Sequence, residues 1–256
     1  MKAKSVGFIG GGRITKIFLQ AFVNQKVEFS SVVVFDTNND VLTLLKQQFP
    51  FIETGGLALA ASQSVVFIAL HPPVIIETLD KIIDVVSDNA LMISLAPKIT
   101  ITKIASKLKT RNIVRMIPNA TSYINKGFNP VCFSAELSKN NKKLILRLIK
   151  NLGKTFETDE AKLESYAIVS AMLPTYFWFQ WQEMEAIALQ TGLSEKEARK
   201  AIRASLKKAI NLYFNSALNP AEVMDLIPVK PIGEHEAEIK NILNTKILGL
   251  FGKIKP

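Results

Sequence analysis

The chain has little cysteine and little histidine: one Cys, Cys132, and two His, His71 and His235, in 256 residues. A lone cysteine excludes an internal disulfide and fits a reducing compartment. So few soft ligands offer no His/Cys cluster of the kind zinc requires, and no metal site is expected. Long apolar runs are also missing. No stretch of about eighteen uncharged apolar residues occurs, which argues against a membrane span. The opening "MKAK" before "SVGFIGGG" supplies a positive charge and an apolar run. That run is short, is broken by glycines and lacks a small-residue cleavage site, so no signal peptide is expected. These absences lead to the expectation of a soluble, cytoplasmic protein.

Acid is scarce in one segment. Lys98 to Lys154 carries thirteen Lys and Arg residues against a single acid, Glu136, within a chain of net charge +10. Such a bias could attract nucleic acid or another polyanion. The charges interleave with apolar residues at helical spacing in "ITKIASKLKT" and "NKKLILRLIK", with no aromatic-and-basic stripe beside them. Solvated helix faces are the simpler reading, with neither nucleic acid nor membrane as a partner. Arg111 and Arg115 fall in the same segment; either could attract a carboxylate substrate, and surface placement is the default.

What is present is alternation. "KSVGFIG", "SSVVVFD", "SVVFIAL" and "ALMISLA" are apolar on both faces, as strands of a sheet covered by helices on both sides are. Helical patterns separate them: Arg13 to Asn24, then "NNDVLTLLKQQF" with Asn38 or Asn39 as cap. Phe51 to Thr54 is a short strand, and "NIVRMI", "NPVCFS" and "KTFETD" supply more. After about Asp159 only helices remain: Ala161 to Thr191, Ser194 to Asn215 with a Ser194/Glu197 capping box, and shorter ones to the end. The expected architecture is α/β, a Rossmann-like doubly wound sheet over residues 1–160 and an all-helical domain over 161–256.

The stretch "VGFIGGGRITKIFLQAF" sits where the first strand meets the first helix. Gly10 can take the tight turn, and Gly12 leaves room for a phosphate to approach the backbone. The amides at the start of the helix then meet the negative charge. Thr15 stands where a third Gly or Ala is usual. The next strand ends in Asp36, followed by Thr37 and Asn38, where a carboxylate would accept from the adenosine ribose hydroxyls. Strand, turn, helix and acidic strand end in register make this a dinucleotide cradle for NAD(P)H. The carboxylate would repel a 2′-phosphate, which favours NADH over NADPH, although Arg13 or nearby lysines could override it.

These residues resemble the pyrroline-5-carboxylate reductases. "GFIGGGRIT" is similar to that family's opening, "FIALHPP" to its Ala-Val-Lys-Pro stretch with His71 at the lysine, and "MISLAPKIT" to its Ser-x-Ala-Ala-Gly-Val-Thr stretch. "IVRMIPNATSYINKG" is similar to its Arg-x-Met-Pro-Asn-Thr-Pro motif. The resemblance implies that Gly10, Gly11, Gly12, Arg13 and Ile14, the strand-end residues Asp36, Thr37 and Asn38, and Ala69, Leu70, His71, Pro72, Leu95, Ala96 and Pro97 touch the cofactor. It implies hydride transfer to a small cyclic imine, 1-pyrroline-5-carboxylate, the last step of proline synthesis. Asn119, Ser170, Thr175, Tyr176 and Glu234 fall at the implied substrate side, and no residue is assigned to acid–base catalysis. Departures lie there: the Ser-Gly-Ser-x-Pro-Ala-Tyr motif reads "SAMLPTY", with Met172 and Leu173, and the Ser-Pro-Gly-Gly-Thr-Thr loop reads "PVKPIGEHE". Gly56 falls where the family has an Asn near the adenosine. A different imine or keto substrate, or a nucleotide-binding sensor without catalysis, stays open beside the reductase.

Three further features have two readings each. His71 is a cofactor contact or a loop residue fixed by Pro72 and Pro73, and His235 is a solvated helix start or an acid–base partner of Glu234. "YFWFQWQEM" is core, an oligomer interface or a substrate box. A helix from Ala161 to Thr191 that is apolar on several faces must be buried on several faces, so at least a homodimer built on the second domain is expected. Cys132 alternates within a strand pattern and reads as a small buried hydrophobe.

Overall fold

Valine, isoleucine and phenylalanine place the strands, and the sheet they form sets where every loop of the cleft can be. The computed structural model describes residues 4–256; Met1 to Ala3, with the positive start of the chain, lie outside them. The strands are β1 (Ser5–Ile9), β2 (Ser31–Phe35), β3 (Glu53–Thr54), β4 (Val65–Ile68), β5 (Leu91–Ser94), β6 (Ile113–Met116), β7 (Gly127–Phe133) and β8 (Gly153–Glu157). They join in one sheet of order β3-β2-β1-β4-β5-β6-β7-β8. All neighbours are parallel except β6 and β7, which pair antiparallel. The first six strands therefore follow the doubly wound order, with the reversal between β1 and β4.

The helices between strands cover both faces. On one, α1 (Arg13–Asn24), α2 (Asn39–Gln48) and α6 (Lys139–Ile149) contribute Phe18, Phe22, Leu45 and Ile145 to a core that contains Phe8 and Phe67. On the other, α3 (Leu57–Ala61), α4 (Pro72–Ile82) and α5 (Ile101–Ala105) contribute Ala60, Leu79 and Ile104 against Ile9, Val66 and Met92. Alternate residues of each strand thus serve opposite cores, which is why the strands read as unbroken apolar runs. Phe8 stacks on Phe67 at 4.9 Å, and Phe18 meets Phe67 edge-on at 5.6 Å, filling the space beneath the β1–β4 reversal. β3 is shorter than the expected Phe51 to Thr54, because Ile52 turns inward to the core and Phe51 is left half exposed.

Among the described residues the chain divides into two compact units, 4–171 with 251–256, and 172–250. The last strand ends at Glu157, yet the helical stretch to Ala171 stays with the sheet unit. The single helix expected from Ala161 to Thr191 does not form. A 3₁₀ turn (Glu160–Lys162) leads into α7 (Leu163–Tyr166) and a π-helical turn (Ala167–Ala171). A second 3₁₀ turn (Leu173–Tyr176) precedes α8 (Trp178–Gln190). Pro174 explains the break: it has no amide to donate, and its ring clashes with a preceding helical carbonyl. The second unit continues with α9 (Glu195–Asn215), α10 (Pro220–Asp225) and α11 (Glu236–Ile254), whose residues from Phe251 onward count with the first unit. Ser194 opens α9 with the capping box expected of it. No helix among the described residues is long and apolar enough to cross a membrane.

The basic segment behaves as solvated helix faces in part. Lys107 pairs with Asp80, Lys109 with Asp84 and Lys142 with Glu157, all at exposed or half-exposed positions. Arg115 corrects the default surface placement: its side chain is completely buried. Its β6 register aims it at the covered face, beside Ser94 on β5 and Cys132 on β7. The charge is tolerated there because Glu160 (2.8 Å) and Glu164 (2.6 Å) both accept from the guanidinium. Stripping one partner from such a pair costs about 3–5 kcal/mol, since it strands a charge away from water.

Cys132 is buried beside this cluster. Loss of hydration pushes its thiol up to about 12, Glu160 adds to the rise, and Arg115 only partly opposes it. A raised thiol pKa keeps sulfur protonated at every pH below it, and the thiol is a poor nucleophile. Native protein at pH 7–9 should therefore resist alkylation by iodoacetamide and react fully once unfolded. Rapid modification of the native protein would show that the thiol is reachable and ionised.

Candidate dinucleotide site

Strands β2, β1, β4 and β5 end along one edge, and backbone hydrogen bonds align their last residues. The Gly10 amide donates to the Phe35 carbonyl (2.7 Å), the Ala69 amide to Ile9 (2.8 Å) and the Leu95 amide to Ile68 (3.1 Å). The chain then departs towards β2 after β1 and towards β5 after β4, which opens a crevice where ligands of such sheets settle. A cleft of about 670 Å³ occupies it.

Its walls are three loops. Gly11, Gly12, Arg13 and Ile14 form one; Ala69, Leu70, His71 and Pro72 the second; Leu95, Ala96 and Pro97 the third. All eleven were singled out in the sequence, and the fold brings them together. Gly10 lies beneath them with φ of +106°. A Cβ there would stand 2.5 Å from the Ala69 carbonyl oxygen, so only glycine lets the β1 and β4 loops meet. At Gly12 the opposite holds, since nothing lies within 4 Å of a Cβ position and the backbone faces open space. Thr15, in place of a third small residue, is fully buried and donates its hydroxyl to the Gly10 carbonyl. That bond substitutes a specific anchor for close packing.

Asp36 has a role the spacing alone did not reveal. One carboxylate oxygen accepts from the Gly11 amide (2.7 Å) and the other from the Asn38 amide (2.9 Å). The strand-end acid thus fixes the glycine turn, and the Gly11 amide is directed at it. Asn38 caps α2 by accepting from Asp40 and Val41, and Thr37 is exposed between them. None of the three lines the cleft itself. Sequence reasoning missed Lys16, Val41, Leu44, Leu45 and Gln48, which complete the wall on the α1 and α2 side. Their helical spacing was the available signal: 41, 44, 45 and 48 share one face of α2.

A pyrophosphate fits these donors. No side chain caps α1, its first turn holds no acid, and Arg13 and Lys16 stand at that end of the cleft. Two cations at a helix start oppose the helix dipole, an arrangement that an anion bound there reverses. His71 lines the cleft as the first flanking residue of α4, with Pro72 next, and its side chain makes no cap bond.

The expected substrate residues are divided between the two units. Asn119 is buried, and its amide nitrogen lies 3.5 Å from the Ser170 hydroxyl and carbonyl. Thr175 and Tyr176 belong to the 3₁₀ turn of the second unit, where the Thr175 hydroxyl bonds the Met172 carbonyl (2.6 Å). Burial raises the Tyr176 phenol above its ordinary value, so it is a protonated donor at neutral pH. Glu234 is exposed beside His235 at 3.5 Å, in the 3₁₀ turn (Gly233–His235) that precedes α11, which agrees with a solvated helix start. Gly56 opens α3 and does not line the cleft. Among the described residues no group of three His, Cys, Asp or Glu is placed to hold a metal ion.

Sheet order and cleft together define a dinucleotide-binding protein of the doubly wound class. Comparison with known proteins narrows this. Residues 5–98 match the family described as NADP oxidoreductase coenzyme F420-dependent. The pyrroline-5-carboxylate reductase of Pasteurella multocida is 27% identical over 228 residues, spanning 84% of this chain and 81% of that protein. The structure of Plasmodium falciparum pyrroline carboxylate reductase with NADP bound superposes with a TM-score of 0.79 at 17% identity, covering 99% of this chain and 96% of that one. The Coxiella burnetii pyrroline-5-carboxylate reductase gives 0.70 at 22% identity, covering 99% and 95%. The chain is an NAD(P)-dependent oxidoreductase. It is similar, at 22–27% identity over most of its length, to pyrroline-5-carboxylate reductases.

The glycine turn yields a direct prediction. Gly10→Ala must move the Ala69 backbone or abandon its φ, so dinucleotide affinity should fall by about a hundredfold or more, the cost of strain and clash at about 3 kcal/mol. Gly12→Ala, with open space around it, should leave the fold intact in a thermal melt. Calorimetric titration of both variants checks this, and undiminished affinity in Gly10→Ala would contradict it.

Proposed function

We propose that the protein reduces a small cyclic imine bearing a carboxylate, 1-pyrroline-5-carboxylate being the simplest, to the corresponding secondary amine. The observation that carries the reading is the single cleft formed by three loops of the kind the resemblance assigned to the cofactor, in a chain whose curated relatives bear that enzyme's name. Bound in the cleft, the reduced nicotinamide supplies a hydride. The chain's own work is alignment: the uncapped α1 start with Arg13 and Lys16 holds the pyrophosphate, and the loops after β4 and β5 set the nicotinamide's place. An iminium carbon already carries its positive charge, so positioning does most of the catalysis and little acid–base help is needed. That agrees with a cleft in which His71 is the only titratable residue besides Arg13 and Lys16. The altered "SAMLPTY" and "PVKPIGEHE" segments bear on substrate choice: Leu173, Val229 and Ile232 expose apolar surface where the family has small or polar residues.

The cofactor reading favours NADH. Asp36 keeps its carboxylate at the end of β2, and a 2′-phosphate there meets a negative charge. Pure protein incubated with the imine and either nucleotide should oxidise both, NADH with the higher kcat/KM. Asp36→Ser should shift the NADPH/NADH ratio by about tenfold towards NADPH, the equivalent of ~1.4 kcal/mol. Nucleotide binding without turnover of any imine or keto acid would instead support a sensor, and turnover of a bulkier imine alone would support a changed substrate.

The assembly reading is a homodimer or larger homo-oligomer built on residues 172–250, in the cytoplasm. In that unit Ala198 is the only fully buried residue, while Trp178, Phe179, Met224 and Ile227 are roughly half exposed or more. A helical unit with almost no core of its own needs apolar cover, and a second copy provides it through a two-fold contact. Light scattering at micromolar concentration should give at least twice the 28.4 kDa chain mass. Trp178→Glu should dissociate or unfold the protein; a monomeric wild type would refute the assembly.

A further inference from the structure

The loop between β5 and α5 forms the cleft wall farthest from Asp36 in strand order, and its one internal bond runs from the Ile99 amide to the Pro97 carbonyl at 2.9 Å, across Lys98. Lys98 adopts φ of +72°, the left-handed region that a residue with a Cβ avoids. The loop is held from behind. Glu164, itself buried, accepts from the Lys98 amide at 3.0 Å, and Glu160 accepts from the Ile101 amide at 2.7 Å, where α5 begins. The two carboxylates are in turn joined by the Arg115 guanidinium, at 2.8 Å to Glu160 and 2.6 Å to Glu164. The same guanidinium reaches the Ala96 carbonyl at 3.4 Å.

We infer that Arg115, Glu160 and Glu164 are positioning residues for the nicotinamide half of the cofactor, acting through the Ala96–Ile101 backbone without touching the ligand. The inference rests on the reading of the cleft as a dinucleotide site. In a doubly wound sheet the adenosine lies on the β2 side and the second nucleotide beyond the reversal, so Leu95–Pro97 faces the nicotinamide. One side of the clamp is unusual in origin. Glu160 and Glu164 come from the stretch after the last strand, the same stretch that brings Ser170 to within 3.5 Å of Asn119. A single helical segment therefore supports the cofactor wall and one edge of the expected substrate side. A stack of bonds of this kind works by holding a backbone fixed during reaction, as outer-shell partners do for ligands in other sites. Burial of one cation with two anions gains definition from the three backbone groups that share the load: the Lys98 and Ile101 amides and the Ala96 carbonyl.

The test separates the two halves of the cofactor. Full-length wild type and the variants Glu164→Gln, Glu160→Gln and Arg115→Lys are titrated by calorimetry with NADH and with ADP-ribose, which keeps the adenosine and pyrophosphate but lacks the nicotinamide. The expected result is ADP-ribose affinity within about twofold of wild type and NADH affinity lowered by about tenfold or more, since sub-ångström misplacement of a wall is felt only by the group it contacts. Glu164→Ala, which also removes the acceptor for Lys98, should lose more than Glu164→Gln. Equal losses for both ligands, or no loss for either, would overturn the inference. Arg115→Lys is the variant most at risk of unfolding, and in that event the two glutamine variants decide the matter alone. Wild type that binds neither ligand would overturn the cleft reading and this inference together. Wild type that binds both, with variants unaffected, overturns only the latter.

Discussion

One backbone approach governs the site: the turn at Gly10 against the carbonyl of Ala69. It exists because β1 and β4 lie side by side while their chains leave in opposite directions. If that approach were wider, the glycine turn and the β4 loop would border two separate depressions. At the observed distance they border one cleft, with the first amides of α1 at its mouth. Asp36 and Thr15 reinforce the same turn from two sides, one through the Gly11 amide and the other through the Gly10 carbonyl. Each of these bonds is buried or half-buried, where a lost partner is costly.

The far wall is governed differently. No glycine shapes the β5 loop between Leu95 and Thr100; instead a buried ion cluster and the Ile99–Pro97 backbone bond together hold a left-handed lysine. A charged cluster contributes little net stability against apolar packing, but its bonds are directional and admit few alternatives. The site therefore combines a steric constraint at the phosphate end with an electrostatic one at the other.

Much of this was legible in sequence because it rests on local rules. Apolar runs on both faces marked β1, β2, β4 and β5, and a glycine turn followed by a strand-end acid located the cleft. Asn38 and Ser194 capped the helices they precede. What escaped depends on long-range partners. Arg115 is an ordinary basic residue in a basic segment until Glu160 and Glu164, more than forty positions away, fold over it. The break of the helix near Pro174 was readable from proline itself, but the aromatic residues beyond it suggested continuity. Asp36 was placed correctly at a strand end, and its bond to Gly11 needed the turn's coordinates. Lys16 and the α2 face were missed because the motif ends at the turn, whereas the wall extends along two helices.

The claim on which the rest stands is that a dinucleotide lies across the β1–β4 reversal. A crystal structure of the protein with NADH bound measures it most directly. The account predicts the pyrophosphate over Gly12 and Arg13, the adenosine ribose towards Asp36, and the nicotinamide against the Leu95–Pro97 loop. A nucleotide seated elsewhere on the molecule, or reversed so that its adenine meets that loop, would contradict it.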